Sequence, residues 1–127
     1  VRILLDTHVF LWAITEDSRL SRNYREIYEA ESSDLILSTA SIWEILIKRG
    51  IGKLDLPEPA LSYVSKQLEH NRIRRLSIQM HHLAELERLP PVHKDPFDRM
   101  IAAQARSEKI PVMSADPAFR GYGLEIL

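Results

Sequence analysis

Four acidic side chains stand where chemistry is possible: Asp6 after "RILL", Glu44 in "SIWEILIKRG", Asp98 in "HKDPFDRMIAAQA" and Asp116 in "MSADPAF". Carboxylates gathered from separated segments repel and raise one another's pKa values, so a cluster of them requires a cation. Oxygen donors, with no cysteine and no histidines at ligand spacing, favour Mg²⁺ or Mn²⁺ over Zn²⁺. A divalent ion held by carboxylates suits hydrolysis of a phosphodiester: it acidifies water and neutralises charge on phosphoryl oxygens. One ion with a general-base carboxylate and two ions serve equally at this level. Thr7, beside Asp6, and Ser114, two residues before Asp116, offer hydroxyls that can orient carboxylates or water.

Each acid taken singly has an ordinary structural account. Asp95 is a good N-cap, Pro96 suits the first helical position, and Asp98 then faces the positive end of the helix dipole. Ser41-x-x-Glu44 reads as a capping box, Asp6 as a cap, and Asp116-Pro117 as a turn. The helical wheel separates the two acids of the third motif. At about 100° per residue, Asp98 falls between Ile101 and Ala102 and lines up with Ala105, inside the apolar arc; Arg99 and Arg106 mark the solvent side. A carboxylate on the core side is expensive unless something positive meets it. Capping accounts fully for Asp95.

The elements that must position these acids alternate. "RILL" (2–5), "LIL" (35–37), "IRRLSI" (73–78), "IPVMS" (110–114) and "LEIL" (124–127) read as short apolar strands. Between them lie a helix through Val9, Phe10 and Trp12, a surface helix in "SRNYREIYEAES", and one over "SIWEILIKRG" with Ile42, Ile45, Leu46 and Ile47 apolar. Further helices follow over 56–71, with Pro59 early and Leu61, Val64 and Leu68 in one stripe, in "HHLAELER", and from Pro96. Such alternation predicts an α/β fold with a parallel sheet covered on both faces. Ligands bind there beyond the carboxyl ends of the strands, which is where Asp6, Glu44 and Asp116 fall. The helix of Asp98 follows another helix, so only a tertiary approach can bring its start to that edge.

The chain has 127 residues, the length of one domain (1–127), with 45% hydrophobic residues and no cysteine. Seventeen Lys and Arg against 18 Asp and Glu exclude a protein that holds nucleic acid by bulk charge. With no long apolar run and no leader-like start at "VRILLDTH", a cytoplasmic protein without membrane contact is expected.

The stretches "LLDTHVFLW", "SIWEILIKRGIGKL", "HKDPFDRMIAAQA" and "MSADPAF", in this order, resemble the PIN-domain family of metal-dependent ribonucleases, and within it the small VapC-type toxins of type II toxin–antitoxin systems. The resemblance implies a PIN-like three-layer α/β/α sandwich with a central, mostly parallel five-stranded sheet. It implies Asp6, Glu44, Asp98 and Asp116 as catalytic acids, with Asp6, Asp98 and Asp116 on Mg²⁺ or Mn²⁺, Asp116 occupying the most variable of these positions. It also implies an RNA substrate, a cognate VapB-type antitoxin covering the acids, and a homodimer, for which the apolar residues around Trp12 and the 59–71 helix are candidate surfaces. Lys48, Arg49, Lys53 and Arg99 are candidates for gripping RNA; Trp12 and Trp43 can stack bases or simply pack. His81 and His82 are expected to point apart on their helix, and none of the five histidines is assigned to metal or catalysis. A phosphatase of the Asp-x-Asp kind fails on Asp6-Thr7-His8, and a phospho-acceptor receiver lacks its acid pair and late lysine. The alternative is a catalytically inactive PIN-fold binding module acting only in a toxin–antitoxin or operator complex.

Overall fold

The computed structural model describes residues 1–57 and 59–127; Glu58, in the predicted 56–71 helix, lies outside them. Strands β1 (Arg2–Leu5), β2 (Asp34–Ser38), β3 (Arg74–Leu76) and β4 (Val112–Met113) form one sheet in the order β3-β2-β1-β4. Every neighbouring pair is parallel, with Leu4 opposite both Ile36 and Val112, and Leu5 opposite Met113. Helices α1 (Thr7–Ile14), α2 (Arg22–Glu29), α3 (Thr39–Gly50), α4 (Ala60–His70), α5 (Met80–Arg88) and α6 (Pro96–Glu108) join them, and a 3₁₀ turn spans Pro117–Tyr122.

Side-chain alternation along β1 explains the layers. Ile3 and Leu5 point to one face, where they pack with Leu35 and Leu37 of β2 under Phe10, Ile45 and Val64 of α1, α3 and α4. Leu4 points to the other, among Ile36, Val112, Ile101, Ala105 and Phe119. Both faces are covered, which is why the central strands are apolar throughout rather than alternating.

The predicted fifth strand is not formed. Residues 124–127 contribute one isolated parallel bridge, Val112 to Ile126, with Val112 N donating to Glu125 O and Leu127 N donating to Val112 O. Strand β4 is only two residues long and follows Pro111, which has no N–H, so it offers this edge no longer ladder. The chain therefore carries a four-stranded parallel sheet within an α/β/α sandwich.

The predicted start of the second motif's helix also moves. Ser38 ends β2 and caps α3, its hydroxyl accepting from Ala40 N at 3.0 Å, so no loop separates strand from helix. Ser41 and Glu44 then lie within the helix and form no capping box. Ile47, one of the apolar positions read in this helix, faces outward with Trp43 and Ile51, whereas Trp12 is half-buried against the core and Leu61 of α4 is exposed. No helix among the described residues is long and apolar enough to cross a membrane.

Candidate metal centre

The chain leaves β1 for β2 and β3 on one side and returns to enter β4 on the other side of β1. The carboxyl ends of β1 and β4 thus flank a topological switch point, the place where parallel sheets open a crevice. Asp6 N donates to Met113 O at 3.0 Å, and this pairing sets Asp6 beside Ser114, whose hydroxyl donates to Asp6 Oδ2 at 2.8 Å. Asp6 occupies the N-cap position of α1, yet its side chain caps nothing. Its Oδ1 is buried and has no hydrogen-bond partner among the described residues. The capping account of Asp6 therefore fails.

Glu44 comes from the second turn of α3 and is 1% exposed. Its Oε2 accepts from Lys48 Nζ at 2.6 Å, one helical turn on, while its Oε1 is buried without a partner among the described residues. Thr7 donates to the Ser41 hydroxyl at 2.8 Å, stitching the starts of α1 and α3 together beneath the acids. Helix α6 delivers Asp98 by packing its apolar face on the sheet, as the wheel requires: Asp98 is buried in line with Ile101, Ala102 and Ala105. Asp95 caps that helix, accepting from Phe97 N at 2.8 Å and Asp98 N at 3.1 Å. Asp116 caps the 3₁₀ turn through Oδ1 and turns Oδ2 toward the other acids.

The electrostatics are those of crowded, desolvated carboxylates. Burial, then the charges of Asp6, Asp95 and Glu44, push the Asp98 carboxyl up to about 7 despite His93 nearby. Burial is also the main reason that Asp6 lies above the usual range; the Ser114 hydroxyl and His8 oppose it, while Glu44 and Asp116 add to it. Burial works against the Lys48 ammonium, but Glu44, Asp95 and Asp98 outweigh it and raise its pKa. Four acids thus share one field, and Lys48 meets it from one side only.

His93 is the residue that sequence spacing missed. Its Nε2 lies 3.1 Å from Asp98 Oδ2 and 3.2 Å from Asp116 Oδ2, joining the two carboxylates. Asp95 N donates to His93 Nδ1 at 3.2 Å, which leaves the ring proton on Nε2, facing both carboxylates. His93 N in turn donates to the Tyr122 hydroxyl at 3.0 Å. The only signal in the sequence was its place two residues before the capping aspartate.

A second cluster lies between α5 and α6, where His81 Nε2 and His82 Nε2 both stand 2.9 Å from Glu108 Oε2. The two rings therefore converge, with centroids 4.2 Å apart, and do not point to different sides as expected. His82 Nδ1 accepts from Gln79 N at 2.9 Å, so its Nε2 carries the proton and donates to Glu108. The expected basic residues divide. Lys48 pairs with Glu44 and Lys53 is exposed nearby, whereas Arg49 donates to Leu56 O and Arg99 to the carbonyls of Pro90 and His93.

Two buried carboxylate oxygens without partners, an excess of acids and an oxygen-rich donor set fit a hard divalent cation. A bound ion would give Asp6 Oδ1 and Glu44 Oε1 the partner that no described residue provides.

Comparisons with known proteins agree with this architecture. The PIN domain matches residues 3–124. Ribonuclease VapC16 of Mycobacterium tuberculosis (strain ATCC 25618 / H37Rv) is 38% identical over 60 residues, 47% of this chain and 43% of that protein, so the match spans less than half of either. Among solved structures, VapBC2 from Rickettsia felis bound to a DNA fragment from their promoter gives a TM-score of 0.75 at 16% identity, over 100% of this chain and 98% of that one. VapBC-1 from nontypeable Haemophilus influenzae gives 0.72 at 14% over 100% and 97%, and FitAcB from Neisseria gonorrhoeae 0.65 at 19% over 98% and 96%. At these identities the structures attest to the fold. With the family match running almost from end to end of the chain, the protein belongs to the PIN-domain family.

Proposed function

We propose that this chain is a Mg²⁺- or Mn²⁺-dependent endoribonuclease and the toxin of a VapBC-type pair, working in the cytoplasm. The observation that carries the reading is that Asp6, Glu44, Asp98 and Asp116 act on one another's charge beside the β1/β4 switch point, with buried Asp6 Oδ1 and Glu44 Oε1 left without partners among the described residues. Asp6, Asp98 and Asp116 are the residues to hold the ion. When bound, a divalent cation lowers the pKa of water and neutralises charge on the phosphoryl oxygens of a phosphodiester. Glu44, fixed by Lys48 through Oε2, orients the attacking water and accepts its proton at Oε1. Ser114 holds Asp6, and Thr7 with Ser41 holds the floor on which the acids stand. Lys48 and Lys53 lie where an RNA backbone approaches, and Arg49 and Arg99 shape the surrounding loops through backbone carbonyls.

A free nuclease of this kind needs restraint, and a VapB-type antitoxin laid over the acids supplies it. The solved VapBC complexes of like fold support such a partner, and the proposal includes a homodimer of the chain. The test is cleavage of RNA by the purified chain, free of partner. Mn²⁺ or Mg²⁺ should switch cleavage on, EDTA should switch it off, and Asp6→Asn should remove it while the circular dichroism spectrum stays unchanged. Absence of cleavage from the wild-type chain with either metal would replace this reading by that of an inactive PIN-fold binding module.

A further inference from the structure

Beside the acids, between α1 and the segment that follows α3, lies a cleft of about 580 Å³. Its volume falls in the range of sites that enclose small organic groups. Leu11, Trp12, Leu54 and Leu56 form its apolar wall, and His8, Lys48 and Lys53 stand along its rim. We propose that this cleft is a nucleotide subsite, in which a base of the RNA stacks on Trp12 while an adjoining phosphate meets Lys53. The proposal rests on the nuclease reading and names how the same centre holds its substrate.

Continuity is the first argument. Lys48 lines the cleft and also donates to Glu44 Oε2 at 2.6 Å, and His8, two residues after Asp6, lines it as well. A strand whose phosphodiester reaches the acids thus has its neighbouring nucleotide at the mouth of this cleft.

The chemistry of the wall is the second. Trp12 is half-buried and packs on the core, so its indole is a fixed platform. The guanidinium of Arg19 lies over that indole, 5.3 Å from the ring centroid. A planar, delocalised group already covers this ring face, which is the contact a base makes. Arg19 is held there by Asp17, its Nη2 donating to Oδ2 at 2.6 Å and its Nε to Oδ1 at 3.1 Å; the guanidinium itself is largely exposed, and a base that takes the ring face displaces it.

Charge is the third. The left-handed turn at Gly52 (φ +79°) brings Lys53 round the end of α3, where its backbone N donates to Lys48 O. Lys53 is exposed and forms no ion pair among the described residues. Asp17 and Asp55 also line the cleft, but with Asp17 held by Arg19 and Lys48 by Glu44, Lys53 is left to meet a phosphate between the stacking face and the candidate metal centre.

The experiment uses the full chain carrying Trp43→Phe, so that Trp12 is the one indole left. A single-stranded RNA hexanucleotide added in EDTA, where no cleavage occurs, should quench Trp12 emission saturably. Lys53→Ala should weaken that binding about fivefold. Under cleaving conditions Trp12→Leu should raise KM about tenfold with a smaller change in kcat, the order expected from losing one stacked base, and Trp12→Phe should restore most of it. Failure of the hexanucleotide to quench, or an unchanged KM in Trp12→Leu with an unaltered melting temperature, overturns the subsite. Trp12 emission that shifts with protein concentration alone also overturns it, giving the cleft to a second copy of the chain. Quenching in EDTA by a chain that never cleaves RNA would keep the subsite and discard the nuclease reading instead.

Discussion

His93 Nε2 stands 3.1 Å from Asp98 Oδ2 and 3.2 Å from Asp116 Oδ2, so one imidazole joins a carboxylate on α6 to one on the 3₁₀ turn. With Nδ1 taking the Asp95 amide, the ring donates toward the acids and cannot offer Nε2 as a ligand in the same tautomer. It acts as a clamp on two candidate ligands. Outer partners of this kind tune metal affinity by roughly 10–100-fold. His93→Ala should weaken Mn²⁺ binding about tenfold by calorimetric titration, and His93→Gln, which keeps a donor, should recover part of the loss. Equal affinity in the alanine variant would show that the clamp does nothing for the ion.

Asp98 and Asp95, neighbours in sequence, should respond in opposite directions. Asp98 is held charged only against burial and three other acids, so Asp98→Asn should stabilise the metal-free protein by about 1 kcal/mol. For a domain of this size that is a rise of roughly 3–6 °C in melting temperature. Asp95 caps α6 through two backbone amides, and Asp95→Ala should cost about 1 kcal/mol. Millimolar Mn²⁺ should then raise the melting temperature of the wild type and of Asp95→Ala but not of Asp98→Asn. A scan in EDTA and in Mn²⁺ decides it; an Asp98→Asn protein that melts lower than wild type in EDTA refutes the crowding argument.

The Glu44–Lys48 pair is closed at 2.6 Å with the carboxylate buried and the ammonium a third exposed. Removing the cation leaves a buried charge unmatched. Lys48→Met should therefore destabilise the metal-free chain by about 2 kcal/mol, below the range for fully buried pairs because Lys48 still meets water. Adding Glu44→Gln in the same chain should restore most of that loss. Denaturant titration of the double-mutant cycle measures the coupling, and additive losses would mean that the pair is not coupled.

Glu108 predicts a pH dependence away from the metal centre. Hydrogen bonds from His81 and His82 hold its carboxyl below the ordinary glutamate range. A depressed carboxyl stabilises the fold fully above its unfolded pKa and loses that contribution as pH falls through the folded value. The melting temperature should thus fall on acidification below about pH 4.5, and Glu108→Gln should make that fall shallower. An acid limb of the same slope in both proteins would remove Glu108 from the account.

Much of the candidate site was legible because Asp6 and Asp116 follow apolar runs that read as buried strands, while Glu44 and Asp98 stand early in helices with a core-facing side. Asp98 announced itself by standing on the wrong side of its helical wheel, and burial at 8% exposure agrees. Glu44 was harder to read, because a capping box explains Ser41 and Glu44 until Ser38 is seen to cap the helix directly from β2. His93 had no periodicity around it, and only the approach of α6 to the 3₁₀ turn brings it between two acids. His81 and His82 misled because adjacent residues on a helix normally diverge, whereas Glu108 of α6 lies where both rings can reach it.

What the sequence determined by itself was the local order: which segments are apolar enough to be strands, which helices carry caps, and which charges stand where burial is expensive. Tertiary structure alone decided the company those charges keep. Parallel pairing of β1 with β4 places Asp6 against Ser114. The packing of α6 on the sheet brings Asp98 to the same edge. The reason is physical: a hydrophobic pattern specifies which face of an element is buried, but not which other element will be found against it.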